Sequence, residues 1–137
     1  MKAISVRAPW SYFIMCGGKD IENRGLRFPR TQRGRVLIQQ SKWWKEDEIR
    51  YDVDIALDIQ EKATGVRQGL AWGNLRSWCG CILGSVEIVD YVEESNSPWF
   101  VGDLGIVMRN PIALPKILPY KGMLGFFNVP DELIVWE

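Results

Sequence analysis

Lys19, Glu22 and Arg24 put three charged side chains within six residues, directly after Gly17-Gly18. In an extended chain residues two apart share a face, so Glu22 and Arg24 would point the same way, with Lys19 just outside. A carboxylate flanked by cations can accept hydrogen bonds from the amino group of a polar heterocycle, while the cations hold phosphate. A solvated ion cluster that pins two loops is the other reading of the same spacing. Gly17-Gly18-Lys19 is not a phosphate-cradling P-loop, because the upstream glycine is missing and Asp20 stands where Ser or Thr would be needed.

Other chemistry is narrowed by what the chain lacks. It contains no histidine, which removes Ser-His-Asp and Cys-His catalysis, HExxH zinc hydrolases and Cys2His2 fingers. Cys16, Cys79 and Cys81 are an odd set with no fourth ligand at a metal-binding spacing, so buried, reduced thiols are expected and no metal or cofactor. Seven tryptophans are many for 137 residues, and Trp10, Trp43, Trp44, Trp72 and Trp99 fall at or near expected element ends. Rings beside Arg and Lys suit single-stranded nucleic acid, where bases stack on aromatics and cations follow the backbone. One or two of these rings are expected to line a binding surface, and the others to be core.

The net charge of zero conceals a segregation. Residues 1–45 carry ten basic against two acidic side chains, a net of +8, and the remainder carries seven against fifteen, a net of −8. One basic face for a polyanion would follow, unless the halves pair on folding.

These residues need elements to position them. Ala3 to Val6 reads as a short strand stopped by Pro9, and Ser11 to Cys16 as a buried helix stopped by Gly17-Gly18. Lys19 to Arg24 is a strand edge or loop, and Gly25 to Gly34 a basic turn. Arg35 to Gln40 is a β-branched strand delivering Ser41 and Lys42 to its end. Ser41 would cap an amphipathic helix over 43–62, with Glu46, Asp47 and Glu48 in its first turns. Residues 65–73 read as a loop or short broken helix. Strands follow at Cys81 to Val92, with a bulge or close approach at Gly84, then at Leu104 to Arg109 and Leu124 to Val129, punctuated by Pro111, Pro115, Pro119 and Pro130. Consecutive strands without intervening helices imply an α+β fold on a mainly antiparallel sheet, a small barrel of five or six strands. One domain spanning 1–137 fits the length, and no apolar run reaches the roughly 18 residues of a membrane span. Met1 to Ala8 has no signal-peptide core, so a cytoplasmic protein with no membrane partner is expected.

Five blocks in order carry a family likeness: Ser-Val-Arg-Ala-Pro-Trp (5–10), Gly-Gly-Lys-Asp-Ile-Glu-Asn-Arg (17–24), Arg-Gly-Arg-Val-Leu-Ile (33–38), Leu-Gly-Ser-Val-Glu-Ile-Val-Asp (83–90) and Pro-Tyr-Lys-Gly (119–122). Together they resemble the ASCH domain, the activating signal cointegrator homology family of the PUA-like superfamily, from about residue 3 to 131. The resemblance implies a PUA-like β-barrel flanked by helices, with a cleft that binds RNA or a modified nucleoside or nucleotide. It sets Lys19, Glu22 and Arg24 on that cleft, with Trp10, Ser41, Lys42 and Lys121 nearby. One branch of the family deacylates N4-acetylcytidine with a lysine and a threonine three residues on; Lys19 matches the first, but Glu22 occupies the threonine position. A carboxylate cannot replace a hydroxyl nucleophile. As the alternative, a Lys19/Glu22 pair could act on a water as a small amidohydrolase or ribonuclease.

Overall fold

A computed structural model describes residues 1–137. The elements run β1 (Lys2–Val6), α1 (Trp10–Cys16), β2 (Ile21–Arg24), β3 (Gly34–Gln40), α2 (Glu46–Thr64), α3 (Trp72–Ser77), β4 (Cys81–Val92), β5 (Leu104–Pro119), β6 (Phe126–Asn128), and a final 3-10 turn at Asp131–Leu133. Six strands form one sheet in the order β2-β5-β4-β3-β1-β6. Only β1 and β3 are parallel; the other pairs are antiparallel, so the α+β, mainly antiparallel expectation holds.

Period-two patterning builds the inside of the curled sheet. Ile4 and Val6, Val36 and Ile38, Val86 and Ile88, and Leu104, Ile106 and Met108 converge on one cluster with Ile14 of α1 and Tyr91. Ala3, Leu37 and Phe127, joined by Ile82 and Leu114 from beyond the β4–β5 register shifts, pack a second, smaller core. Helix α1 covers the sheet with Phe13 and Ile14, each fully or almost fully buried, a contribution of about 1.5–3 kcal/mol per side chain. Helix α2 buries Ile49, Val53, Ala56 and Gln60 at alternating four- and three-residue steps, and begins with the acidic run that favours a helix N-terminus.

The sheet curls because the long pair β4–β5 is interrupted by register shifts between Ile82 and Gly84, Ser85 and Glu87, and Ile88 and Asp90. The strand expected to stop at Arg109 continues through Pro111 and Pro115 to Pro119. It can do so because β2 covers only Leu104 to Val107, which leaves the later outer edge of β5 unpaired, and because both prolines fall where pairing with β4 slips. Gly84 is the close approach foreseen: a Cβ there would lie 2.3 Å from the Ile112 carbonyl oxygen and 2.6 Å from the Met15 methyl.

The expected small six-stranded barrel takes the form of a half-barrel, whose free edges β2 and β6 do not pair with each other. Two expectations are corrected. Ser41 does not cap α2; the helix starts at Glu46 behind Lys45, while the Ser41 hydroxyl accepts from the Trp43 amide at 3.1 Å and so supports the turn between β3 and the helix. Residues 72–77, the first two within the stretch read as a loop or short broken helix, form helix α3, held by Leu75 in an aromatic-rich cluster with Ala8, Ile49 and Val53. The cysteines were expected to be buried, but only Cys81 is; Cys79 is half-buried and Cys16, at the end of α1, is exposed, and all three are free thiols. No helix is long and apolar enough to cross a membrane.

Candidate functional site

The gap between the two free edges of the half-barrel is a cleft of about 1100 Å³. Residues of β2 line it on one side and the 121–125 segment before β6 lines it on the other, with the ends of β1 and β3, helix α2 and the 99–101 loop completing it. All seven residues singled out in the sequence, Trp10, Lys19, Glu22, Arg24, Ser41, Lys42 and Lys121, face this one cavity.

At its floor the ion cluster is buried, not solvated. Arg24 donates from Nε and Nη2 to the same Glu22 oxygen, Oε2, at 3.2 and 2.9 Å. The other oxygen, Oε1, lies 3.5 Å from the Lys19 ammonium. Lys19 is only 4% exposed and Glu22 8%. The Lys19 ammonium also donates to the Ile21 carbonyl and stands 5.7 Å from the Trp10 ring centre. Burial pulls its pKa below the usual lysine value, and the neighbouring Glu22 carboxylate only partly restores it. Arg24 reaches across the open seam, donating from Nη2 to the Ser5 carbonyl of β1 at 2.8 Å and lying over the Phe28 ring, which packs edge-on against Phe126 of β6. The cluster therefore does pin two parts of the fold together, and it sets the Glu22 carboxylate in the cavity lining, with Oε2 held by Arg24 and Oε1 beside Lys19.

The intervening residues of the same segment have a different task. Asn23 donates from Nδ2 to the Trp99 carbonyl and accepts at Oδ1 from the Val101 amide, both at 2.9 Å. Asp20 accepts from the Ser97 hydroxyl at 2.6 Å. These contacts moor the 97–101 loop, which brings Trp99 and Val101 to the cleft wall. Trp99 packs with Phe13, Ile21 and Ala56, and Trp10 and Ile59 join that cluster.

Around the mouth stand Arg7, Lys42 and Lys121, all exposed and none in a salt bridge within the protein. Arg7 lies 4.4 Å over the Trp43 ring. Five cations and one carboxylate line the cavity, so its field is positive although the whole chain is neutral. Two tryptophans, Trp10 and Trp99, contribute to it; Trp43 and Trp44 are half-buried against the α2–α3 cluster.

Other parts of the basic half are not in the cleft. Arg30 pairs with Glu93 at 3.1 Å, Arg33 stacks on Tyr91 at 4.6 Å, and Arg35 donates to the Asn110 carbonyl and Ser85. Ser5, Arg7, Gln39 and Asn23 line the cavity without having been picked out as site residues. For Ser5 and Arg7 a signal existed, since both lie in the 5–10 block, and for Asn23 in the 17–24 block. Gln39 carried none, because a glutamine ending a strand looks like any other.

The fold is similar to that of a solved ASCH protein, the family that the ordered motifs resemble. Among solved structures, the chain is similar to a single-substitution mutant of ZmASCH, an ASCH protein from Zymomonas mobilis, with a TM-score of 0.56 at 11% identity over 96% of this chain and 91% of that one. The likeness at that identity is one of fold. No protein-family model matches the chain, and no curated protein matches it.

Proposed function

We propose that the chain is a binding module of the ASCH family whose cleft takes RNA or a modified nucleotide. The observation that carries this reading is the juxtaposition, in one cavity, of a carboxylate held between Lys19 and Arg24, three cations outside any salt bridge and an indole ring. Glu22 Oε1 suits the amino group of a base, Arg7, Lys42 and Lys121 suit phosphates, and Trp10 offers a stacking face. Lys19 and Arg24 act here mainly by orienting Glu22, since their own hydrogen bonds go to the protein. Free thiols fit the cytoplasmic placement that goes with this reading.

Three phosphate-contacting cations give a log–log salt slope of about −2 for a single strand, or roughly a twentyfold loss of affinity between 50 and 200 mM salt. Lys42→Ala and Lys121→Ala should each weaken binding of a short single-stranded RNA and make that slope shallower by about 0.7. Tryptophan fluorescence titration reads both quantities. Affinity indifferent to salt and to both substitutions would remove RNA as the ligand. The hydrolytic alternative uses Glu22 as base on a water, and it requires that the recovered RNA or N4-acetylcytidine be changed by the wild type and left intact by Glu22→Gln.

A further inference from the structure

The mouth of the cleft carries apolar side chains that the charged floor does not use. Leu124 is 100% exposed and Met123 56%, at the tip of the 121–125 segment, and Val101 and Ile55 face the same cavity from the loop and helix α2. The base of that segment is fixed. Gly122 seats so closely on β1 and β3 that a Cβ would lie 2.7 Å from Gln39 Oε1 and 2.9 Å from Ser5 Oγ. Gln39 in turn donates to the Tyr120 carbonyl at 2.9 Å and accepts from the Ser5 hydroxyl at 2.5 Å. A rigid stem thus holds two bare apolar side chains out at the entrance. Water gains nothing from such a display, and an exposed apolar group beside a binding cavity marks a contact surface.

We infer that Met123 and Leu124 form an apolar finger that packs against the face of the bound nucleotide's base. The inference rests on the RNA-binding reading and deepens it: the cleft selects a ligand that carries a base, and does not take any polyanion that matches its charge. The charge of the mouth decides the occupant. Met123 and Leu124 share the cavity with Arg7, Lys42 and Lys121, none of them in a salt bridge within the protein, so the ligand must present an apolar face and an anionic group within one cavity. A single-stranded ribonucleotide does so, with its base flanked by phosphates. Leu and Met are also side chains that wedge against unstacked bases.

Because Leu124 is fully exposed and Met123 more than half exposed, the double variant Met123→Ser/Leu124→Ser tests the finger in the intact chain. Two probes are compared by titration on the wild type and the variant: an oligoribonucleotide of about five residues and inorganic tripolyphosphate, which carries charge without a base. The expected result is a loss of roughly tenfold or more on the oligoribonucleotide, with an unchanged salt slope and unchanged tripolyphosphate affinity. A variant that binds the oligoribonucleotide as well as the wild type does, or that loses both probes equally, overturns the finger and leaves the RNA reading standing. A wild type that does not bind the oligoribonucleotide overturns both.

Discussion

Removing the Glu22 carboxylate would leave the Lys19 ammonium and the Arg24 guanidinium without the only anion with which either forms a salt bridge. A buried cation stripped of its partner is costly, so Glu22→Ala is expected to lower stability by about 3–5 kcal/mol. Lys121→Ala, at an exposed and unpaired position, should change it by less than about 0.5 kcal/mol. Urea denaturation of the two variants separates a residue that builds the cavity floor from one that only lines its mouth. Lys19 gives a second test through pH. Its pKa is lowered by burial, so between that depressed value and the ordinary 10.5 the unfolded chain holds a proton that the folded chain has released. Stability contributed by this residue therefore rises with pH across that window, and below it the buried charge opposes folding at full cost. Lys19→Met should lose this rise. The stability difference, wild type minus variant, is expected to grow from pH 7 to pH 10, and a flat difference would place the ammonium in a more watery site. Much of this was legible in the spacing, since Lys19, Glu22 and Arg24 stood out as charges beside a glycine pair. Their burial was not, because spacing on a strand does not say what covers it.

At the level of elements, β2 shows how four residues can serve both walls of the cleft. Glu22 and Arg24 turn to the cavity, while Asn23 faces the 97–101 loop and ties down two of its backbone groups. Asn23→Ala removes both hydrogen bonds at a cost of about 1–2 kcal/mol. It should also speed amide hydrogen exchange at Val101 by a larger factor than at Ile4 or Val36 in the core. Equal acceleration at all three sites would mean that the loop is held by something other than Asn23. The strand expectations succeeded where apolar, β-branched residues were dense, as at 35–40 and 81–92. They failed at 104–119, where proline was read as a stop and is tolerated because the edge is unpaired and the register slips. Ser41 failed as a helix cap for a related reason: a serine after a strand can support a turn as readily as a helix, and only the path of Trp43 and Trp44 into the α2–α3 cluster decides between them.

On the scale of the molecule, a neutral chain carries a positive cavity because its basic half is used unevenly. Arg30, Arg33 and Arg35 are occupied by protein groups away from the cleft, whereas Lys42 and Lys121 at its mouth form no salt bridge and Arg7 there only stacks on Trp43. Counting charges along the chain revealed the segregation but not which cations would remain unpaired, since that depends on the closing of the half-barrel. The open seam between β2 and β6 is likewise a property of the whole sheet: it leaves the cavity where a fully closed barrel would have had a hydrogen-bonded strand pair. The claim that RNA binds in this seam is tested most directly by NMR of the tryptophan indole N–H signals during titration with a short single-stranded RNA. Trp10 lines the cleft, and Trp44 and Trp72 pack edge to face in the α2–α3 cluster outside it. The expected result is a saturable shift of the Trp10 signal with Trp44 and Trp72 unmoved. Shifts confined to Trp44 and Trp72, or none at Trp10 at saturating RNA, would contradict the assignment of the cleft as the binding site.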